Sequence, residues 1–419
     1  MELWARRKGL SLLGTGDITH PGWLKEIRNK LKSDGRGLFE LKREYTHRPE
    51  PRRSRVKFML TGEISSIFNR KGRVYRTHLL IFLPGLAEAR KVQSALSAAG
   101  MKINSDGRPI TGIDPRRIME LLLKCSDRIN FIPAHIWTPW FSLLGERSGF
   151  NSVKECFGDL SEKIFAVETG LSTDPPMHRK CSFLDRFTLI SNSDAHSPEK
   201  LARNCNIFNC EMTYDSIMRA IASGDSKNMP GTVELFPQEG KYFYDGHRKC
   251  GIKWPPSRSR RNKSICPVCG KKLTIGVAHR VQVLSDRKKA IQLKTRFYSI
   301  IPLKEIISEI TGTGARSKKV ATIYDNLLGM GINETELLVD LPLRRIENIT
   351  GPLLAEALKR MRGRKVVLSE GFDGVFGSVK LFNAEEKSSK TFKKKVKDLL
   401  KDPYGRKRPL YNSRADLSK

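Results

Sequence analysis

Across residues 1 to about 222, short apolar runs end repeatedly in a Gly, Ala or Ser beside a carboxylate or an imidazole, and amphipathic stretches fill the gaps. Leu10 to Leu13, Val56 to Leu60, Thr77 to Phe82, Asn130 to Ile132, Ile164 to Val167 and Thr188 to Ile190 read as strands. Leu86 to Ala99 and Asp114 to Cys125 carry the apolar spacing of helices. Such alternation constrains the chain to an α/β domain whose chemistry gathers at strand C-terminal ends.

The residues at those ends are of one kind. Gly14-Thr15-Gly16-Asp17-Ile18-Thr19-His20 follows the first strand, Thr61-Gly62-Glu63 the second, and His78 enters the third. Pro133-Ala134-His135 ends the fourth, Glu168-Thr169-Gly170 the fifth, and Asn192-Ser193-Asp194-Ala195-His196 the sixth. Mixed imidazole and carboxylate donors suit zinc or hard divalent ions. Two such ions side by side create hydroxide and clamp a phosphate. Singly, Asp17 reads equally as a helix N-cap and Asp194 as a turn residue. Six positions repeating the same chemistry point to a polynuclear metal site.

These motifs resemble the polymerase-and-histidinol-phosphatase (PHP) family of metal phosphoesterases. More narrowly, Gly14-Thr-Gly-Asp17, Pro133-Ala-His-Ile-Trp-Thr-Pro-Trp140 and Ser191-Asn-Ser-Asp-Ala-His-Ser-Pro198 resemble the endonuclease Q family, and the likeness runs on to Gly377. The resemblance implies a distorted PHP-type (β/α) barrel, incomplete at its N-terminus, then a zinc ribbon and a small helical domain. It further implies metal-activated hydrolysis of the phosphodiester 5′ to uracil, hypoxanthine, xanthine or an abasic site in DNA, leaving a 3′-hydroxyl. Asp17, Glu63, His135 and Asp194 are then the catalytic candidates. The metal shell takes these with His78 and His196, and His20 and Glu168 outside them; the ions are zinc, manganese or magnesium. Family members begin with a strand bearing His-x-His, whereas Met1-Glu-Leu-Trp-Ala-Arg-Arg-Lys-Gly-Leu resembles the helix after it. The missing pair is expected upstream of a misplaced start; a truncated, non-catalytic DNA-binding protein is the alternative. A phosphatase for a small phosphomonoester is the rival within the fold.

His247-Arg-Lys-Cys250 and Cys266-Pro-Val-Cys269-Gly270 are two ligand pairs fifteen residues apart, the pattern of a structural zinc ribbon. Gly270 suits the positive backbone angle of a metal knuckle. Eight cysteines with one tight pair, in a long charged chain, fit metal binding in a reducing compartment better than disulfides. No run approaches the ~20 apolar residues of a membrane span, and the opening residues lack a signal peptide's apolar core. The expected location is the cytoplasm, at the nucleoid.

Net charge names the partner class. Seventy-seven Lys and Arg against 44 Asp and Glu leave +33 over 419 residues, a self-repelling excess that a polyanion relieves. Basic clusters fall at Arg43 to Lys57, in a loop containing Arg258, Arg260 and Arg261, at Arg287 to Lys289 and at Lys393 to Lys397. Arg108 is a further candidate for the phosphate groove. Trp137, Trp140 and Phe141 crowd behind His135 as candidate walls for an unstacked base. Leu343 to Ala357 is faintly like a helix-hairpin-helix around Gly351. The expected partners are damaged DNA and a replication or repair protein. The expected division is 1–222 phosphoesterase, 223–240 linker, 241–290 zinc ribbon, 291–382 helical DNA-binding domain and 383–419 disordered basic tail.

Overall fold

The computed structural model describes residues 1–46 and 55–401; the middle of the basic cluster expected at Arg43 to Lys57, residues 47–54, and the last stretch of the tail lie outside it. The described residues form two compact units, Met1–Ser299 with Leu368–Val379, and Ile300–Val367 with the segment from Lys380.

The first unit is built on one hairpin. β1 (Leu12–Gly14) runs parallel to β4 (Lys57–Arg70), which also takes the antiparallel pair β2 (Leu31–Ser33) and β3 (Phe39–Leu41) on its flank. β4 turns into β5 (Arg73–Leu83) through Lys71-Gly72, both at positive φ (52° and 79°), the two-residue turn that matches strand twist. Register runs unbroken from Leu60↔Leu83 to Arg70↔Arg73. β6 (Ile110–Thr111) pairs parallel with β4, and β7 (Asn130–Pro133) antiparallel with β5, completing seven strands. Helices Leu86–Ala98 and Pro115–Leu123 bury Val92, Leu96, Ile118, Met119 and Leu122 in the core shared with Ile64, Leu79, Ile81 and Phe131. Phe68, its cross-strand partner Tyr75 and Phe150 stack, with Tyr75 and Phe150 only 4.0 Å apart at 7°.

β8 (Ala166–Glu168) and β9 (Thr188–Ile190) form a separate parallel pair, buried at every position. Among the described residues no sheet closes into a barrel, so the chain is a mixed α/β protein.

The expected linker at 223–240 is corrected. It contains β11 (Gly231–Leu235), wholly buried between β10 (Cys205–Ile207) and β14 (Arg296–Ile300). Gly231 admits the neighbouring chain because a Cβ there would lie 2.1 Å from the Arg296 carbonyl oxygen. β12 (Asp245–His247) and β13 (Ile252–Trp254) form the ribbon hairpin; its small core is Trp254, Cys266 and Leu273. The basic "loop" that follows is a helix, Pro256–Arg261.

The second unit is helical: Leu303–Thr311, Lys318–Gly329, Leu343–Thr350 and Pro352–Arg362 enclose Ile306, Ile310, Tyr324, Leu354, Leu358 and Met361. Between them, residues 334–340 are helical, with Glu336–Asp340 wound as a π-helix. β15 (Val367–Ser369) pairs with β16 (Ser378–Lys380), and Leu368–Val379 belongs to the first unit. The tail, expected to be disordered apart from one short helix around Phe392 to Leu400, has a helix there, Lys390–Lys401, and is corrected at Ala384–Ser388, a further helix with an Asn383/Glu386 capping box. No helix among the described residues is long and apolar enough to cross a membrane.

Candidate functional site

Glu63 lies mid-way along β4, not just beyond a strand end, and His78 mid-way along β5, not at its entry, as the sequence suggests. Glu63 faces Leu80 in the register, so His78 is its diagonal neighbour on the same face. Their side chains meet, His78 Nδ1 lying 2.5 Å from Glu63 Oε1. His135 enters from beyond β7, its Nε2 3.1 Å from His78 Nδ1 and 3.8 Å from Glu63 Oε1. One ligand atom from each of the three falls within 4.8 Å of the others.

Burial alone would raise the Glu63 carboxyl, but hydrogen bonding and charge from His135 and His78 hold it well below the usual carboxylate range. Burial likewise opposes charge on His135, yet Glu63, Glu168 and Asp194 outweigh it and lift the imidazole to about 9. His78, buried and facing His135, is pushed down. Two imidazole nitrogens and a carboxylate oxygen converging in a half-buried recess is a donor set that fits a divalent cation.

The remaining candidates stand at graded distances. Asp17 reaches the site because Thr15 and Ile18 donate backbone N–H bonds to β4 at Met59 and Thr61. Its carboxyl is raised by burial, then by Asp106, with Glu63 also contributing. Gly107 makes room for it; a Cβ there would sit 2.2 Å from Asp17 Cγ. Glu168 is 4% exposed and spends both oxygens on neighbours, Oε2 accepting from the His135 N–H at 2.6 Å and Oε1 from Asn192 at 2.8 Å. Burial pushes it up to about 7. It braces the two loops instead of joining the cluster. Asp194 is half-exposed, close enough to act on His135, and Arg203 donates to its backbone carbonyl. His196 is 76% exposed and bonded to the Asp194 carbonyl. His20 is not brought in: it caps the helix Pro21–Lys30 through Nδ1, with Nε2 at the Asn104 carbonyl. Arg108 points its guanidinium at Glu63, 3.4 Å away.

Of the aromatic candidates, Trp137 is corrected. It is 1% exposed, with its indole N–H spent on His178, so no base can reach it. Trp140 and Phe141 are part-exposed; Phe141 packs 5.1 Å from the His78 ring and Trp140 5.2 Å from that of Tyr242. Sequence reasoning missed a buried polar network behind the site. His178 Nδ1 accepts from Trp137 at 3.3 Å, so Nε2 carries the proton and donates to Thr173 Oγ1 at 2.9 Å, which donates to the Thr169 carbonyl at 2.6 Å. Thr169 also meets Ser191, and Asn204 links Ser191 to Gly170. Burial holds His178 neutral, down at about 3, which this chain requires.

His247, Cys250, Cys266 and Cys269 form the second cluster, again with ligand atoms within 4.8 Å. Gly270, at φ 69°, donates its N–H to the Cys266 carbonyl, closing the knuckle. Although burial opposes it, backbone N–H bonds from Cys269 and Val268 hold the Cys266 thiol down to about 6; Cys250 is pushed up to about 11 by burial and its fellow thiols. Three sulfurs and one imidazole fit a soft, four-coordinate cation. On the adjoining helix Arg258 lies over Trp254, Arg260 bonds Gln282, and Arg261 is exposed.

The family model described as the MJ0043 C-terminal domain matches residues 302–365. The chain is 27% identical over 391 residues to the uncharacterized protein YqxK of Bacillus subtilis, covering 90% of each. It is 30% identical over 252 residues to the uncharacterized protein MJ0043 of Methanocaldococcus jannaschii, which is 58% of this chain but only 31% of that longer protein. The crystal structure of the lesion-specific endonuclease PfuEndoQ from Pyrococcus furiosus superposes with a TM-score of 0.79 at 29% identity, covering 93% of this chain and 91% of that one. Endonuclease Q in complex with a 27-mer duplex carrying an abasic lesion at its active site superposes at 0.78, also 29% identical, covering 95% and 93%. In sequence and fold the chain is therefore similar, over nearly its whole length, to the solved endonuclease Q structures.

Proposed function

We propose that this protein is a divalent-metal-dependent endonuclease that nicks DNA 5′ to a damaged nucleotide, leaving a 3′-hydroxyl. Its lesions on this reading are abasic sites and the deaminated bases uracil, hypoxanthine and xanthine. The observation that carries the reading is the convergence of Glu63, His78 and His135 on the central hairpin of a fold shared with lesion-specific endonucleases. The substrate class follows the neighbour described with an abasic lesion at its active site.

Glu63, His78 and His135 are assigned as metal ligands, with Asp17 and Asp194 reaching in from the flanking loops and His196 at the rim. Bound divalent ions would supply hydroxide at neutral pH and offset the phosphate charge. Glu168 fixes the approach of His135 through its backbone N–H. Arg108, beside Glu63, is placed to pair with a phosphate oxygen. His247, Cys250, Cys266 and Cys269 are assigned to a structural zinc ion, since a thiolate-rich set of four leaves no open position for chemistry. The +33 charge supplies affinity for the backbone but no choice of sequence. The reading carries a PHP-type phosphoesterase domain, the metal ribbon and a helical DNA-binding domain in chain order.

End-labelled duplexes carrying one abasic site, uracil or hypoxanthine, or none, test it directly. Nicking on the 5′ side of the lesion, dependent on added Mg²⁺, Mn²⁺ or Zn²⁺ and absent in EDTA, is expected. Equal cutting of intact duplex would refute lesion selectivity. Turnover of small phosphomonoesters with no nicking would replace the reading by a phosphatase.

A further inference from the structure

Gly371-Phe-Asp-Gly-Val-Phe-Gly377 stands out in the sequence for its glycines, and the site described so far makes no use of it. It folds as a tight hairpin: Phe372 and Val375 exchange backbone hydrogen bonds at 3.0 and 2.8 Å across Asp373-Gly374, both at positive φ (41° and 88°). The hairpin is clamped to 238–248 on both sides. Gly371 N–H donates to the Gln238 carbonyl, Gly374 to Lys241, Gly377 to Glu239, and the Tyr244 and Arg248 N–H groups donate back to Gly371 and the Asp373 carboxylate. Gly371 and Gly377 permit that approach; a Cβ on either would lie within 2.3 Å of a backbone oxygen.

The two phenylalanines then part company. Phe372 packs on Gly246. Phe376 points away and is 72% exposed, the most exposed large apolar side chain among the described residues. A single exposed apolar residue is ordinary; an aromatic ring held in water on a backbone clamped by this many bonds is not. Its surroundings narrow the occupant. Lys241 Nζ lies 5.5 Å from the Phe376 ring and 5.9 Å from Tyr242, and Tyr242 meets Trp140, five residues after His135. A cation among flat faces, leading back to the cluster loop, matches a nucleobase with its phosphate.

We infer that Phe376 is a specificity-determining residue that stacks on a nucleobase beside the lesion, with Lys241 at the neighbouring phosphate. An abasic site leaves the adjacent base with one face bare, and a rigid ring can cover it without first being ordered. This inference rests on the DNA-lesion reading above.

Binding of the full chain to a duplex with one abasic site, with no Mg²⁺ or Mn²⁺ added so that nothing is cut and the 247–269 cluster keeps its ion, tests it. Phe376→Ala is expected to weaken binding by about tenfold with an unchanged salt slope. Phe376→Tyr and Phe376→Trp should stay near wild type, and Phe376→Leu, apolar but not flat, should resemble Ala. Lys241→Ala should lower the salt slope by roughly one. Wild-type affinity in Phe376→Ala, or rescue by Leu equal to that by Tyr, overturns the inference. Adding Mg²⁺ or Mn²⁺ afterwards separates the two claims: stacking behaviour as expected with no nicking sinks the nuclease reading alone. A wild-type chain that does not bind the duplex sinks both.

Discussion

Asp17, His135 and Asp194 all hold positive φ, at 49°, 27° and 44°, a region that costs a non-glycine residue about 1–3 kcal/mol and persists only where the surroundings enforce it. The enforcement is visible. Gly107 leaves space for Asp17, and Gly170, at φ 73°, lets its loop lie on His135, where a Cβ would come within 2.7 Å of the His135 Cβ. At this scale the site was legible as chemistry: small residues beside His and carboxylate mark Glu63, His78 and His135 without any fold. What the sequence could not show is which side chains are already spent. His20 and Trp137 carry the right residue types, yet the first caps a helix and the second is core. His178, outside every strand-end motif, gives no periodic or spacing signal, and only the folded chain reveals it linking the Trp137 indole to the Thr173 hydroxyl and, through that, to the Thr169 carbonyl. His178→Phe would fill the volume but leave the Trp137 N–H unpaired, costing about 1–3 kcal/mol in urea unfolding. His178→Gln should recover part of that loss. Undiminished stability of His178→Phe would show that the network does not hold these loops.

At the level of elements, the largest departure is the β4–β5 hairpin. Thr61-Gly62-Glu63 reads as a strand end because glycine is a breaker. In the fold Gly62 sits inside a fourteen-residue strand for another reason: the loop after β1 crosses it, and a Cβ would lie 3.0 Å from Ile18 Cγ2. Glycine at a close backbone approach and glycine at a turn look the same in one sequence. The 223–240 stretch failed similarly, its Gly-Pro punctuation hiding the buried strand Gly231–Leu235. The segment 245–273, by contrast, brings His247, Cys250, Cys266 and Cys269 together as their spacing suggests, since that spacing is local and needs no distant partner. Its core of three buried residues is too small to hold the segment unaided. Cys266→Ser should therefore remove one bound metal ion per chain, measured by elemental analysis. It should also expose 245–273 to proteolysis while the β4–β5 core stays protected. Unchanged metal content would remove Cys266 from the ligand set.

For the molecule as a whole, binding and cutting are assigned to different physics. The +33 charge is spread along the chain and attracts a polyanion from any direction. On the proposed reading, cutting is the work of three side chains within 4.8 Å of one another, Glu63 and His78 from the β4–β5 hairpin and His135 from beyond β7. Composition made the first legible at once; the second needed the strand register that puts Glu63 diagonal to His78, which no local pattern encodes. The two are separable by experiment, and Glu63→Gln is the sharpest separation, because it keeps size and hydrogen-bonding shape while deleting the one carboxylate that both imidazoles face. In single-turnover nicking of an abasic duplex with saturating divalent ion, this variant should lose at least roughly 100-fold in rate. Its affinity for the same duplex with no divalent ion added should stay within about twofold, since the backbone contacts that set affinity are untouched. A Glu63→Gln protein that nicks at the wild-type rate would contradict the assignment of chemistry to this cluster.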